Sequence, residues 1–150
     1  MFHLLAARRV RHVFDRLSVG DYEPAIAGLA PDVHHRFAGE HPLGGERHDP
    51  TAVRRWFERL YRLFPELRFT VSDTAVSGPP WDMTMTVQWR ADVVPKAGPS
   101  YVNVGAHVLR IRRGRVHCLH AYEDSQAVAA ACALMAAAGI EEAGAPPIVS

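Results

Sequence analysis

Cysteine is nearly absent: the 150 residues contain two, Cys118 and Cys132. Two thiols make no disulfide framework of the kind that staples small secreted domains, so a cytoplasmic location is expected. No charge sign dominates. Seventeen basic residues face sixteen acidic ones, a formal net charge of +1, which gives no bulk attraction for nucleic acid or an anionic membrane. Long apolar runs are missing, and nothing approaches the ~20 residues of a membrane span. The start, "MFHLLAARRVRHVFDRL", has apolar residues before its arginines, the reverse of a secretory signal. There is no Gly-x-Ser-x-Gly elbow, no Cys-x-x-Cys and no phosphate loop. The nine histidines include no helical i, i+4 pair. His34 and His35 point opposite ways on a strand, as do His117 and His120, and His41 and His48 fall on a glycine-rich loop. Neither a metal nor a cofactor is expected. What is present suits one globular domain: 48 % hydrophobic and 22 % charged residues. The expected domain covers residues 1–140, followed by a tail, 141–150, with little to pack and expected to be mobile.

The pattern along the chain gives the elements. Val10, Val13, Phe14 and Leu17 mark one face of a helix, and Tyr22, Ala25, Ile26 and Leu29 a second, short one ended by Pro31. "VHHRF" (33–37) reads as a strand, and "AGEHPLGGERH" as a loop suited to a flexible cavity lid. Asp49-Pro50 starts a helix reaching about Phe64, with Val53, Trp56, Phe57, Leu60 and Phe64 inward. The period then changes to 2. Leu67, Phe69 and Val71 mark one strand, and the alternation from Met83 to Val93 a long second. Val102–Ile111 and Arg115–Tyr122 make two more around the turn Arg113-Gly114. Ser125 is the expected cap of a last helix that stops at Gly139. Helices grouped before a mostly antiparallel sheet indicate an α+β fold. Such a sheet curves around its N-terminal helices and leaves a cone-shaped cavity, with Trp56 and Leu60 in its wall.

The strings "GDYEPAIAGLAPDV", "GEHPLGG", "LYRLFPELRFTV" and "RIRRGRVHCLHAYED", in this order and spacing, resemble the SnoaL-like branch of the nuclear transport factor 2-like superfamily. That branch includes polyketide cyclases and is related to limonene-epoxide hydrolases and ketosteroid isomerases. The resemblance implies the curved-sheet cone, an apolar small-molecule ligand and a homodimer formed through the outer sheet face. "WRADV" resembles the hydrolases' arginine–x–aspartate strand motif, which places Arg90 and Asp92 on the motif positions. Asn103 and Gly105 match pocket-facing positions. His107 matches a histidine of a polyketide cyclase, and His35 a water-positioning tyrosine of the hydrolases. One departure stands out. Where both enzyme groups carry a proton-transferring aspartate on the last strand, this chain has Ala121, and a methyl group moves no proton.

Two readings of Arg90 and Asp92 stay open. As an i, i+2 pair they share one face of a strand, and in a pocket the guanidinium would hold the carboxylate as an oriented base. Alternation alone places them with Thr84, Thr86 and Gln88 on the polar side, as a surface ion pair. The expected catalytic set is Asp92 as base, Arg90 as its orienter, and His35 and His107 as alternative proton carriers. Asn103, Tyr101, Trp56, Leu60, Phe37 and Ala121 are the expected ligand contacts. Glu123 shares strand parity with Ala121, a parity that would bring it to the cavity near its rim. The expected function is cofactor-independent acid–base chemistry on a polyketide or terpenoid: cyclisation, isomerisation or epoxide opening. The alternative is a non-catalytic small-molecule-binding or assembly protein that lost its acid at Ala121.

Overall fold

The switch of hydrophobic period near Pro65 divides the chain into the two halves that the sequence indicates. The computed structural model describes residues 1–150. Helices α1 (Phe2–Leu17) and α2 (Glu23–Ala27) lead into strands β1 (Leu29–Phe37) and β2 (Gly45–Arg47) and helix α3 (Pro50–Leu63). Strands β3 (Glu66–Ser77), β4 (Asp82–Val94), β5 (Tyr101–Arg112) and β6 (Arg115–Glu123) follow, then helix α4 (Ser125–Ala137) and a 3-10 turn, Glu141–Gly144. The six strands form one curved sheet in the order β2-β1-β6-β5-β4-β3. All pairings are antiparallel except β1 with β6. This is the expected α+β architecture.

Each helix is held by the face its sequence offers. In α3 the buried positions are Ala52, Val53, Trp56, Phe57, Leu60 and Leu63. Asp49 caps that helix by accepting a hydrogen bond from the Ala52 amide at 2.8 Å. Val128, Ala131, Cys132 and Met135 are the buried face of α4, at helical spacing. Its cap is Asp124, whose carboxylate accepts from the Ala127 amide, rather than Ser125. Helix α1 begins eight residues before Val10, because Phe2, Leu5, Ala6 and Arg9 extend the same stripe, and Leu, Ala and Arg are strong helix formers. No helix is long and apolar enough to cross a membrane.

Three segments differ from the sequence expectation. Pro31 lies inside β1 rather than ending a helix, in the stretch between Leu29 and His34 where pairing with β6 is irregular. No regular ladder bond is lost there to its missing N–H. The glycine-rich loop contains β2 and is packed, with His41, Pro42, Leu43 and Gly44 all buried. It is a strap rather than an open lid. The tail is docked: Arg47 donates to the Ile148 carbonyl at 2.6 Å, and the His48 amide to the Ser150 hydroxyl at 2.7 Å. Hydrogen bonds, invisible in an apolarity count, hold it in place.

Candidate functional site

The concave side of the sheet and helices α1 and α3 enclose a cavity of about 330 Å³, lined mainly by apolar side chains. Strand parity decides which residues reach it. Trp89, Gly105 and Glu123 are paired across β4, β5 and β6, and Val87, His107 and Ala121 form the next inward row. The expected contacts Trp56, Leu60, Phe37, Tyr101 and Asn103 line the cavity, as do His35 and His107. Phe2 and Leu5, both more than half exposed, also line it and mark the rim at the start of α1. Ala121 does not line it. It is buried in register between His107 and Phe37, so its methyl fills core rather than touching a ligand.

Both cavity histidines are fixed in one tautomer. The Trp89 indole N–H donates to His107 Nδ1 at 2.6 Å, and Arg47 Nε donates to His35 Nδ1 at 2.7 Å. An imidazole that accepts at Nδ1 carries its proton on Nε2 when neutral. Neither Nε2 has a protein hydrogen-bond partner. Burial pushes the His107 pKa down to about 4. Burial, and then the Arg47 charge, holds His35 well below its usual range. Both rings are therefore neutral at pH 7. They present N–H donors with occupied lone pairs, which suits them to stabilising a developing oxyanion better than to removing a proton. Burial likewise raises the Tyr101 pKa and keeps its phenol protonated.

The acceptor is Glu123, at the end of β6. Its side chain is fully buried, it lines the cavity, and neither carboxylate oxygen has a hydrogen-bond partner. His41 Nε2 lies 3.6 Å from Oε1, and His41 Nδ1 accepts from the Leu43 amide at 3.2 Å. That turns the ring's other nitrogen, Nε2, toward the carboxylate. Gly39 makes room for this histidine: its φ is +103°, and a Cβ there would come within 2.6 Å of His41 Nε2. Asn103 holds the end of β6, accepting from the Asp124 amide at 3.0 Å and donating to the Asp124 carbonyl at 3.4 Å. Its carbonyl is thus committed to the protein, and it positions Glu123 rather than anchoring a ligand through that atom. At Gly105 a Cβ would fall 2.9 Å from the Trp89 ring and 3.0 Å from Glu123 Cα. The missing side chain lets β6 and the indole close on one another.

Arg90 and Asp92 stand elsewhere. Their side chains are 58 % and 55 % exposed and pair with each other at 3.2 Å on the outer face of β4. The pleat turns Trp89, Ala91 and Val93 inward, so the residues between them must face solvent. The surface reading of this pair is the correct one, and neither residue belongs to the cavity. The sequence signal for Glu123 was its parity with Ala121. His41 carried none, because its place depends on a packed loop.

The sequence matches the SnoaL-like domain over residues 10–118. Among curated proteins none matches significantly. Among solved structures, a nuclear transport factor 2-like protein of unknown function from Burkholderia pseudomallei superposes with a TM-score of 0.72 at 22 % identity, over 81 % of this chain and 92 % of that one. A candidate polyketide cyclase from Xanthomonas campestris gives 0.62 at 18 % identity, over 85 % and 96 %. A protein with a ketosteroid isomerase-like fold from Catenulispora acidiphila, in complex with trimethylamine, gives 0.59 at 14 % identity, over 73 % and 78 %. At these identities the likeness shows the fold, the one expected from the order of helices and strands. With the domain match covering well over half of its length, the chain belongs to the SnoaL-like domain family.

Proposed function

We propose that the protein is a cofactor-independent enzyme that moves a proton on an apolar carbonyl compound of polyketide or terpenoid type, by isomerisation or cyclisation. The observation that carries this reading is Glu123, a buried carboxylate without a hydrogen-bond partner in the wall of an otherwise apolar cavity. A binding protein for apolar ligands gains nothing from burying such a group. In the proposed reaction Glu123 takes a proton from the carbon next to the carbonyl. The C–H electron pair passes into the carbonyl to form an enolate, whose oxygen accepts hydrogen bonds from His107 Nε2 or His35 Nε2. Returning the proton at another carbon gives isomerisation; attack of the enolate carbon on a second carbonyl forms the ring bond and an alkoxide, which takes the proton back from Glu123, giving cyclisation. Epoxide opening loses its support, since the Arg90–Asp92 pair faces solvent.

Ala121 favours a second reading, a non-catalytic ligand-binding or assembly protein. The two are separated by incubating the wild-type protein with a panel of apolar ketones in deuterated water and following binding by calorimetry and hydrogen exchange by NMR. Catalysed exchange next to the carbonyl supports the enzyme. Binding without exchange supports the carrier. We also propose that two copies pair through the outer face of the sheet.

A further inference from the structure

On the side of the sheet away from the cavity, β1 and β6 bring together three side chains that are not neighbours along the chain. His34 is paired in register with Cys118, and His120 follows Cys118 by two positions on the same face. Their ligand atoms all lie within 4.8 Å of one another. His34 Nδ1 and His120 Nε2 are 3.1 Å apart. Ligand atoms around a tetrahedral zinc ion stand roughly 3.3–3.8 Å apart, given bonds of ~2.0–2.3 Å, so the two imidazole nitrogens stand close to the required separation and the thiol lies within reach of both. The other nitrogen of His34, Nε2, is buried without a hydrogen bond, and Glu46 Oε2 lies 3.4 Å from it. A carboxylate behind a metal-bound imidazole is the usual arrangement that orients such a ligand. The His48 ring stacks on His34 at 4.9 Å and limits its rotation.

We propose that His34, Cys118 and His120 form a binding site for a divalent transition metal, zinc by preference, on the outer face of the sheet. Two imidazoles and one thiolate are a soft, nitrogen–sulfur donor set that selects zinc over magnesium or calcium. Cys118 gives up its proton to solvent as the sulfur–metal bond forms, and the fourth position is open to water. The ion would tie together β1 and β6, the one parallel pairing in the sheet. The sequence expectation of no metal came from spacing along the chain, whereas this set is assembled across strands.

The test uses the intact protein, stripped with a chelator and titrated with cobalt(II), then with zinc(II). The expected result is stoichiometric binding, with the strong visible bands of tetrahedral cobalt and a near-ultraviolet thiolate-to-cobalt band, both lost when zinc displaces the cobalt. Cys118→Ser should remove the thiolate band and weaken binding at least tenfold, and His120→Ala should do the same to affinity. Cys132→Ser, in the buried face of α4, should change neither, and circular dichroism should show all three variants folded. The proposal is overturned by a folded wild type that gives no tetrahedral spectrum. It is equally overturned by a spectrum that survives Cys118→Ser, including one that depends on His48 instead. It does not rest on the cavity reading, and exchange activity tests that reading separately.

Discussion

At the scale of single residues, position on the pleat decides role. Arg90 and Asp92 have the residue types of an acid–base pair but the wrong parity: alternation alone places them on the polar side, and the motif resemblance favours the pocket equally. Glu123 has the right parity and becomes the cavity carboxylate. His107 illustrates what burial does to a titrating group. Its pKa is about 4 in the folded protein against an ordinary 6.5. Between those values the unfolded chain binds a proton that the native site refuses, so stability falls as the pH drops from 6.5 and the loss levels off near 4. For one group of this kind the loss amounts to about 3 kcal/mol, and His35 acts in the same direction. Urea unfolding across this range should therefore show a markedly shallower pH dependence in His107→Gln than in the wild type. Equal slopes would mean that His107 is not held neutral.

At the scale of elements, two cations hold the strap to the tail: Arg59 donates to the Pro42 and Pro146 carbonyls, and Arg47 makes the larger set of bonds. Arg47 is fully buried, and its guanidinium donates to His35 Nδ1 and to the carbonyls of Gly44, Gly45 and Ile148. Burial lowers its pKa to about 10, which leaves it charged at neutral pH. Arg47→Met would strand several buried acceptors at once, at a cost on the order of 3–5 kcal/mol. Denaturant unfolding measures this. A loss below about 1 kcal/mol would mean that the strap and tail are held by other contacts. These are also the elements least legible in the sequence. The helix stripes and strand alternation reveal themselves because their periodicity is local. The packing of 38–48 and the docking of 145–150 rest on backbone carbonyls, which every residue has, and on a buried arginine that looks like any surface one.

At the scale of the whole molecule, the sheet has one face in the core and one bare. On the bare face of β5 and β6, Val102, Val104 and Tyr122 are 49 %, 61 % and 47 % exposed. Apolar residues together on an uncovered sheet suit a second copy of the chain. Light scattering at micromolar concentration should give twice the 16.6 kDa of the chain, and a monomer would contradict the pairing. The cone and its cavity followed from element order. The chemistry inside did not, because it depends on which of several polar residues burial leaves without a partner. The most direct measurement is the rate of hydrogen exchange next to the carbonyl of a bound ketone, wild type against Glu123→Gln. The substitution keeps shape and hydrogen-bonding capacity but cannot accept the proton. Exchange should fall ~10²–10⁴-fold while ketone affinity stays within a few-fold of wild type. An unchanged rate would remove Glu123 as the base and with it the proposed reaction.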